Sequence, residues 1–174
     1  MNASAGGFEF RLETLGPQHD REAFACGVES LDRYLKTQAS QDMRRKANAV
    51  FVLLRPDAPR RIVGYFTLCA SALEQGIVPE GARKHVPRYP LVSVTLIGRL
   101  AVARDDQRQG VGSILLARAL RTAYSSAAIV GSSMVVVDAL DEQAAKFYAA
   151  HGFLRLPESL RLVLPMRLIE DLVD

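Results

Sequence analysis

The chain has 174 residues, 49% of them hydrophobic, and a formal net charge of +3; that is enough apolar material for one buried core, and no second core is expected. No apolar run approaches the roughly 20 residues that span a bilayer, and the N-terminal MNASAGGFEF lacks the basic and apolar regions of a secretion signal, so the sequence predicts a cytoplasmic protein with no membrane partner. Two cysteines, Cys26 in FACG and Cys69 in TLCAS, stand at no metal or redox spacing and read as buried free thiols in a reducing compartment.

After a short extended start, FEFRLETL, the stretch REAFACGVESLDRYLKTQASQDMRRK reads as helical, with Ser30 as N-cap and Leu31, Tyr34, Leu35, Gln38 and Ala39 on one face. Arg44, Arg45 and Lys46 then fall in the last turn, where the helix dipole favours cations. NAVFVLLRP and RRIVGYFTLCASAL read as strands that pair as a hairpin across PDAPR. Residues 76–91, with three prolines and two glycines, read as an irregular surface excursion. LVSVTLIGRLAVA is nearly continuously apolar, which predicts a central strand covered on both faces. A helix then runs from the glycines of QRQGVGSILL to about Ala128, followed by a buried strand SSMVVVDA, a helix DEQAAKFYAAHGF ending at Gly152, and a final strand RLVLPMRL. The fold class is α/β, or mixed α+β, with no repeat and no low-complexity tract.

Charge is unevenly placed. From Arg33 to Arg61 eight basic residues face two acidic ones, and the same holds from Arg83 to Arg121. Such clustering suits a polyanionic partner or an anionic cofactor, and solvated helix faces produce it too.

Gly110 and Gly112 stand where a strand and a charged connector, ARDDQRQ, give way to a helix. No third glycine completes a dinucleotide fingerprint and no lysine follows to complete a Walker A loop. What remains is a helix start with unsatisfied amides at the positive dipole end and glycines that let an anion approach, a fit for a pyrophosphate or for a turn without a ligand.

Gln107-Arg108-Gln109-Gly110-Val111-Gly112 resembles the Q/R-x-x-G-x-G/A signature of the GNAT N-acetyltransferases, which cradles the pyrophosphate of acetyl-CoA, and the segment from Asp141 to Phe153 resembles that family's A-x-x-F-Y-x-x-x-G-F. FACGVESLDRYLKTQASQD and PRYPLVSVTLIGRLAV are similar to a narrower group, the acetyltransferase toxins of bacterial toxin–antitoxin pairs, which acetylate the amino group of aminoacyl-tRNA. The resemblance implies a single N-acetyltransferase domain over residues 1–174, its mixed, mostly antiparallel sheet carrying helices on both faces and two splayed central strands.

It further implies direct transfer from acetyl-CoA to an amine. Main-chain groups at Leu100, Ala101 and Val102 would pair with the pantetheine arm, with Leu100 also stabilising the oxyanion. Gln107, Arg108, Gln109, Gly110, Val111, Gly112 and Ser113 would hold the pyrophosphate, and Tyr148 would return a proton to the CoA thiolate, the ordinary tyrosine value near 10 being close to that of a thiol. Asp138 and Lys146 could touch the cosubstrate or form an exposed salt bridge. Arg44, Arg45, Lys46 and Arg99 would meet RNA, Arg99 resembling a fixed arginine of the toxin group. His19, His85 and His151 show no ligand spacing, so no metal is expected, and His151 reads as a helix C-cap. The implied partners are acetyl-CoA, tRNA and a ribbon-helix-helix antitoxin, with a homodimer left open. The alternatives are an N-acetyltransferase of a small amine or protein N-terminus, and a non-catalytic CoA-binding module.

Overall fold

The computed structural model describes residues 9–173. Phe8 of the expected extended start, and most of the N-terminal segment read for a secretion signal, lie outside the described residues. Among the described residues, seven strands hydrogen-bond in the order β1-β2-β3-β4-β5-β7-β6. The chain divides into two compact units: one takes the described residues up to Thr67 with Arg99–Arg118, the other Leu68–Gly98 with the described residues from Ala119 onward.

In the first unit, β1 (Arg11–Thr14) pairs antiparallel with β2 (Ala49–Leu54), Leu12 opposite Leu53. The strand β3 (Gly64–Glu74), whose first four residues belong to this unit, neighbours β2 as the hairpin reading expected, and Phe51 and Phe66 stack with ring centroids 5.2 Å apart. Gly64 is required by close approach, because a Cβ there would lie 2.9 Å from the Ala101 carbonyl oxygen and 3.1 Å from Leu115. The helical segment packs Tyr34, Leu35 and Ala39 into a cluster with Phe24, Val50, Val52, Leu54 and Tyr65. Each aliphatic side chain so buried contributes about 1.5–3 kcal/mol.

That segment differs from its sequence reading in three ways. The helix α1 (Glu29–Arg33) starts eight residues later than expected, after Gly27 at φ 97°, and its cap is Val28, with no side-chain bond, rather than Ser30. A π-helical turn at Tyr34–Gln38 separates it from α2 (Ala39–Arg44). The wider turn rotates Gln38, expected on the apolar face, into solvent, where it donates to Asp42 at 3.0 Å. Lys46 ends the turn in the left-handed region at φ 59°.

In the second unit, residues 75–90 carry a 3-10 turn (Gln75–Ile77) and a short helix α3 (Glu80–Arg83) within the expected excursion. The strand β4 (Leu91–Val102) pairs parallel with β5 (Met134–Asp138) from Val94↔Met134 to Ile97↔Val137. Burial corrects the expectation for β4: Val92, Val94 and Ile97 are buried, whereas Leu91 and Ser93 are exposed and most other positions are half-buried. Apolarity records what a strand could bury, and here only four of the twelve positions, Val92, Val94, Ile97 and Ala101, are fully covered. The reading holds for β5, whose first four residues are all buried. The final strand β7 (Arg161–Pro165) is antiparallel to β5 and to a two-residue β6 (Leu154–Arg155) that the sequence did not signal. β7 stops at Pro165, where the expected strand ran on to Leu168; Met166 opens a helix α6 (Met166–Val173) with Ile169 fully buried. Proline lacks the amide that would extend the ladder. Among the described residues no helix is long and apolar enough to cross a membrane.

The two remaining helices are α4 (Val111–Ala127) and α5 (Glu142–Ala150). A 3-10 turn at Arg104–Asp106 joins β4 to α4, and the Asp106 carboxylate is buried there between two arginines of the β2–β3 hairpin, Arg55 at 2.9 Å and Arg61 at 2.7 Å. Burial pushes this carboxyl up, and the bonds and charges of Arg55 and Arg61 outweigh burial and hold it below its ordinary value. Two cations of the first basic cluster are therefore structural.

Asp106→Asn leaves both arginines against a neutral amide, and about 2–3 kcal/mol of stability is expected to go, at the low end for a broken buried pair because the Arg61 side chain is 42% exposed. In a thermal melt this is a fall of about 4–12 °C for a chain of this size. Because the folded-state value is depressed, the contribution is complete above the unfolded carboxyl value of about 4 and fades as pH drops through the folded value. The melting temperature of the wild type should accordingly fall more steeply on acidification than that of the variant.

Candidate functional site

Within the first unit, the connector from β4 to α4 is built as a platform. Asp106 anchors its base, and the Gln107 side-chain amide donates to two carbonyls, Cys26 at 2.7 Å and Val102 at 2.9 Å. Gln109 donates to the Asp105 carbonyl at 3.2 Å. Arg108 at φ 62° and Gly110 at φ 80° then take left-handed backbone, so the chain turns sharply and α4 begins at Val111. Nothing lies within 4 Å of a Cβ built on Gly110; the glycine is there for its backbone angle and leaves the amide surface open. Residues 107–110 and Ser113 are exposed, Gly112 is half-buried, and Val111 is buried at 3% exposure, anchoring the helix start. Exposed amides at the positive end of a 17-residue helix make a site for an anionic group.

On β4, the parallel register with β5 ends at Ile97, and the strand runs on through Leu100, Ala101 and Val102. Leu100 and Val102 are half-buried and Ala101 is buried. The Val102 carbonyl, expected to serve a ligand, already accepts the Gln107 amide.

The residues expected to meet RNA fall in the same unit around Asp42. Arg44, Arg45 and Lys46 are exposed at the end of α2, and the Asp42 carbonyl accepts the Ala47 amide at 2.8 Å. The Asp42 carboxylate accepts Tyr34 Oη at 2.8 Å and Asn48 Nδ2 at 3.0 Å as well as Gln38. The Arg99 guanidinium lies over the Tyr34 ring, 3.5 Å from its centroid. Burial and the bond to Asp42 push the Tyr34 hydroxyl up to about 12 against the pull of Arg99. Sequence reasoning placed Tyr34 only in the core and missed Asp42 and Asn48; nothing in the sequence marks a tyrosine and an aspartate eight positions apart as a pair.

Within the second unit, Tyr148 lies on α5, buried at 7% exposure between Phe147 (ring centroids 5.3 Å apart) and Phe153 (5.5 Å). The helix is fixed at both ends. Asp141 caps it by accepting the Ala144 amide at 2.8 Å, and at the far end His151 is the C-cap as expected, its Nδ1–H donating to the Phe147 carbonyl at 2.8 Å, with Gly152 at φ 94° beyond. The Tyr148 hydroxyl has no hydrogen-bond partner among the described residues, and burial alone pushes it up to about 12, further from a thiol than its ordinary value. It therefore keeps its proton throughout the neutral range.

Asp138 is exposed at the end of β5 with both carboxylate oxygens on Arg161, at 2.7 and 2.9 Å, and Lys146 is exposed on α5. Of the two earlier options for Asp138, the salt bridge is the one observed. The other residues noted for their chemistry are structural: His19 accepts the Gly16 amide at 3.0 Å and pairs with Glu13 at 2.9 Å. Cys26 is a buried thiol, pushed up to about 11 by burial and by Asp32, and Cys69 is half-buried.

Residues 47–155 match the acetyltransferase (GNAT) domain family. The tRNA-acetylating toxin of Mycobacterium tuberculosis is 32% identical over 149 residues, which is 85% of this chain and 87% of that protein. A solved structure of AtaT complexed with acetyl-methionyl-tRNAfMet is similar at a TM-score of 0.85 and 32% identity, covering 95% of this chain and 100% of that one. A tyrosine-to-phenylalanine mutant of the AtaT toxin, bound to the C-terminus of the antitoxin AtaR and to acetyl-CoA, is similar at a TM-score of 0.77 and 30% identity over 94% of this chain and 97% of that one.

Gly110→Ala is expected to cost about 1–2 kcal/mol, the strain of left-handed backbone with a Cβ, lowering the melting temperature by about 2–8 °C. Because the space above Gly110 is open, Gly110→Asn should recover part of that loss in the same melt, asparagine tolerating this conformation.

Proposed function

The chain belongs to the GNAT acetyltransferase family, and we propose that it moves the acetyl group of acetyl-CoA onto the amino group of an aminoacyl-tRNA, blocking translation. The observation that carries the acceptor assignment is the 32% identity, over 85% of the chain, to a tRNA-acetylating toxin. The exposed cations Arg44, Arg45 and Lys46 support it, since a polyanion is drawn to such a patch. The same reading makes an antitoxin of ribbon-helix-helix type the regulating partner and the cytoplasm, where charged tRNA is found, the place of action.

In this account the chain is a single catalytic domain. Amides from Gln109 to Ser113 hold the pyrophosphate, with Gln107, Asp106 and the left-handed Arg108 and Gly110 fixing their direction. Main-chain groups at Leu100 and Ala101 pair with the pantetheine arm, and an amide there stabilises charge on the thioester oxygen. The amine nitrogen forms its bond to the acetyl carbon, the carbon–sulfur bond breaks, and Tyr148 gives its proton to the sulfur while the new amide loses one to water. Water suffices as base, because an aminoacyl ester amine is less basic than lysine. A hydroxyl pushed up to about 12 looks mismatched to a thiol of ordinary value. The burial that raises it raises a thiol in the same surroundings too, so the proton moves between partners shifted in the same direction. Asp138, held by Arg161, and Lys146 have no assigned step.

Expression of the chain alone is expected to arrest growth, and Tyr148→Phe to relieve the arrest while lowering kcat for transfer of labelled acetyl to charged tRNA by about 100-fold or more. Healthy cells at high wild-type expression would contradict the toxin reading. Gly112→Glu, placing a carboxylate against the pyrophosphate, is expected to remove the heat of acetyl-CoA binding in calorimetry; unchanged affinity would contradict the assignment of the loop.

A further inference from the structure

Two arginines flank the turn between β6 and β7, and each sets its fork against a carboxylate. Arg155 donates from Nη1 and Nη2 to both oxygens of Glu142, each at 2.7 Å. Arg161 donates from Nε and Nη2 to both oxygens of Asp138, at 2.7 and 2.9 Å. Glu142 is the first residue of α5 and Asp138 the last of β5, so one hairpin grips both ends of the link that joins them. Inside that link the Ala139 amide donates to the Leu160 carbonyl at 2.8 Å.

The turn is also stiffened from within. Arg155 Nε donates to the Ser159 carbonyl, the Ser159 hydroxyl accepts the Arg161 amide at 2.9 Å, and the Leu156 amide donates to the Arg161 carbonyl at 2.9 Å. Ion pairs this exposed, the Arg155 and Glu142 side chains being 39% and 66% open to water, add little stability. What a two-point fork adds is direction, because it fixes an angle as well as a distance. Tyr148 needs direction from elsewhere: its hydroxyl has no hydrogen-bond partner among the described residues, and the rings of Phe147 and Phe153 cannot hold an O–H. A helix of nine residues moves as one piece, so a roll permitted at its start is carried to the phenol six positions after Glu142.

We propose that the β6–β7 turn is a brace that aims Tyr148 at the thioester sulfur, with Arg155 and Arg161 as positioning residues for the proton transfer. The proposal rests on the assignment of Tyr148 as the acid made above. Transfer of a proton from oxygen to sulfur is steep in geometry, and a misplacement of about 1 Å is enough to slow a reaction about 100-fold. Neither arginine touches a substrate in this arrangement; both act through α5. Glu142 is kept ionised for its part, the bond from Arg155 holding its carboxyl below the usual range, and Asp138 acquires a role that needs no contact with the cosubstrate.

The test uses the full chain and separates the single-turnover rate of acetyl transfer to charged tRNA from the calorimetric affinity for acetyl-CoA, each in wild-type and Tyr148→Phe backgrounds. Arg155→Gln is expected to slow transfer about 10-fold, with acetyl-CoA affinity unchanged and the melting temperature lower by no more than about 4 °C. In the Tyr148→Phe background the same substitution should change the rate by less than about 2-fold, because the group it aims is gone. A purely structural role would slow both backgrounds equally, and that result overturns the proposal, as does an unaltered rate in Arg155→Gln or a loss of acetyl-CoA affinity in place of rate. Should Arg155→Gln fail to fold, Arg161→Gln takes its place with the same expectations. With fluorotyrosine incorporated, the Tyr148 fluorine resonance, assigned by its absence from Tyr148→Phe, should broaden or split in Arg155→Gln; an unchanged line overturns the proposal without recourse to any acceptor. Tyr148→Phe that transfers at the wild-type rate removes the acid and the proposal together, whereas a slowed Tyr148→Phe beside an unaltered Arg155→Gln counts against this proposal alone. Wild-type protein that leaves charged tRNA unmodified counts against the acceptor assignment, and the fluorine resonance then decides the proposal.

Discussion

A buried carboxylate in the connector after β4 governs the geometry of the first unit. Asp106 is 5% exposed, and it is tolerable there only because Arg55 and Arg61 reach it from the preceding hairpin. The pair ties residues 45 and 51 positions apart in the sequence to the point where a strand becomes a helix. With the base of the connector fixed, one glutamine side chain suffices to aim the rest, bridging Cys26 and Val102, and the left-handed Arg108 and Gly110 turn the amides outward at the start of α4. A glycine loop without that clamp would be a mobile turn, and the affinity of an anion for it would be reduced by the entropy of ordering it.

The same economy recurs elsewhere in the chain. The helix that carries Tyr148 is only nine residues long, short of the length at which a helix stands alone. Asp141, His151 and Gly152 satisfy its ends, and Phe147 and Phe153 enclose the phenol ring. Arg99 is held differently from Asp106, with its guanidinium over the Tyr34 ring and no ion pair among the described residues.

The sequence made legible what is carried by local pattern. The glycines at 110 and 112, the Phe147-Tyr148 pair with its downstream glycine, the run of valines in β5 and the C-cap at His151 all act within a few residues of their own position, and spacing exposes them. Features built by distant pairing were hidden. Counting cations grouped Arg55 and Arg61 with Arg44–Lys46, although the first two are bound to Asp106 and the others are exposed. The π-helical turn that moves Gln38 off the apolar face has no residue signature, and an apolar run through LVLPM disguised the change from strand to helix at Met166. The shift of the Tyr148 hydroxyl was also out of reach, because it follows from burial and not from residue type.

The central claim is transfer of the acetyl group of acetyl-CoA to the amino group of a charged tRNA. Its most direct test is mass spectrometry of charged tRNA after incubation with the purified protein and acetyl-CoA, followed by nuclease digestion to the terminal nucleoside. The account predicts an aminoacyl-adenosine heavier by one acetyl group, with the added mass on the α-amino nitrogen. Unmodified aminoacyl-adenosine, with acetyl appearing instead on a polyamine or a protein N-terminus supplied in the same reaction, would contradict it.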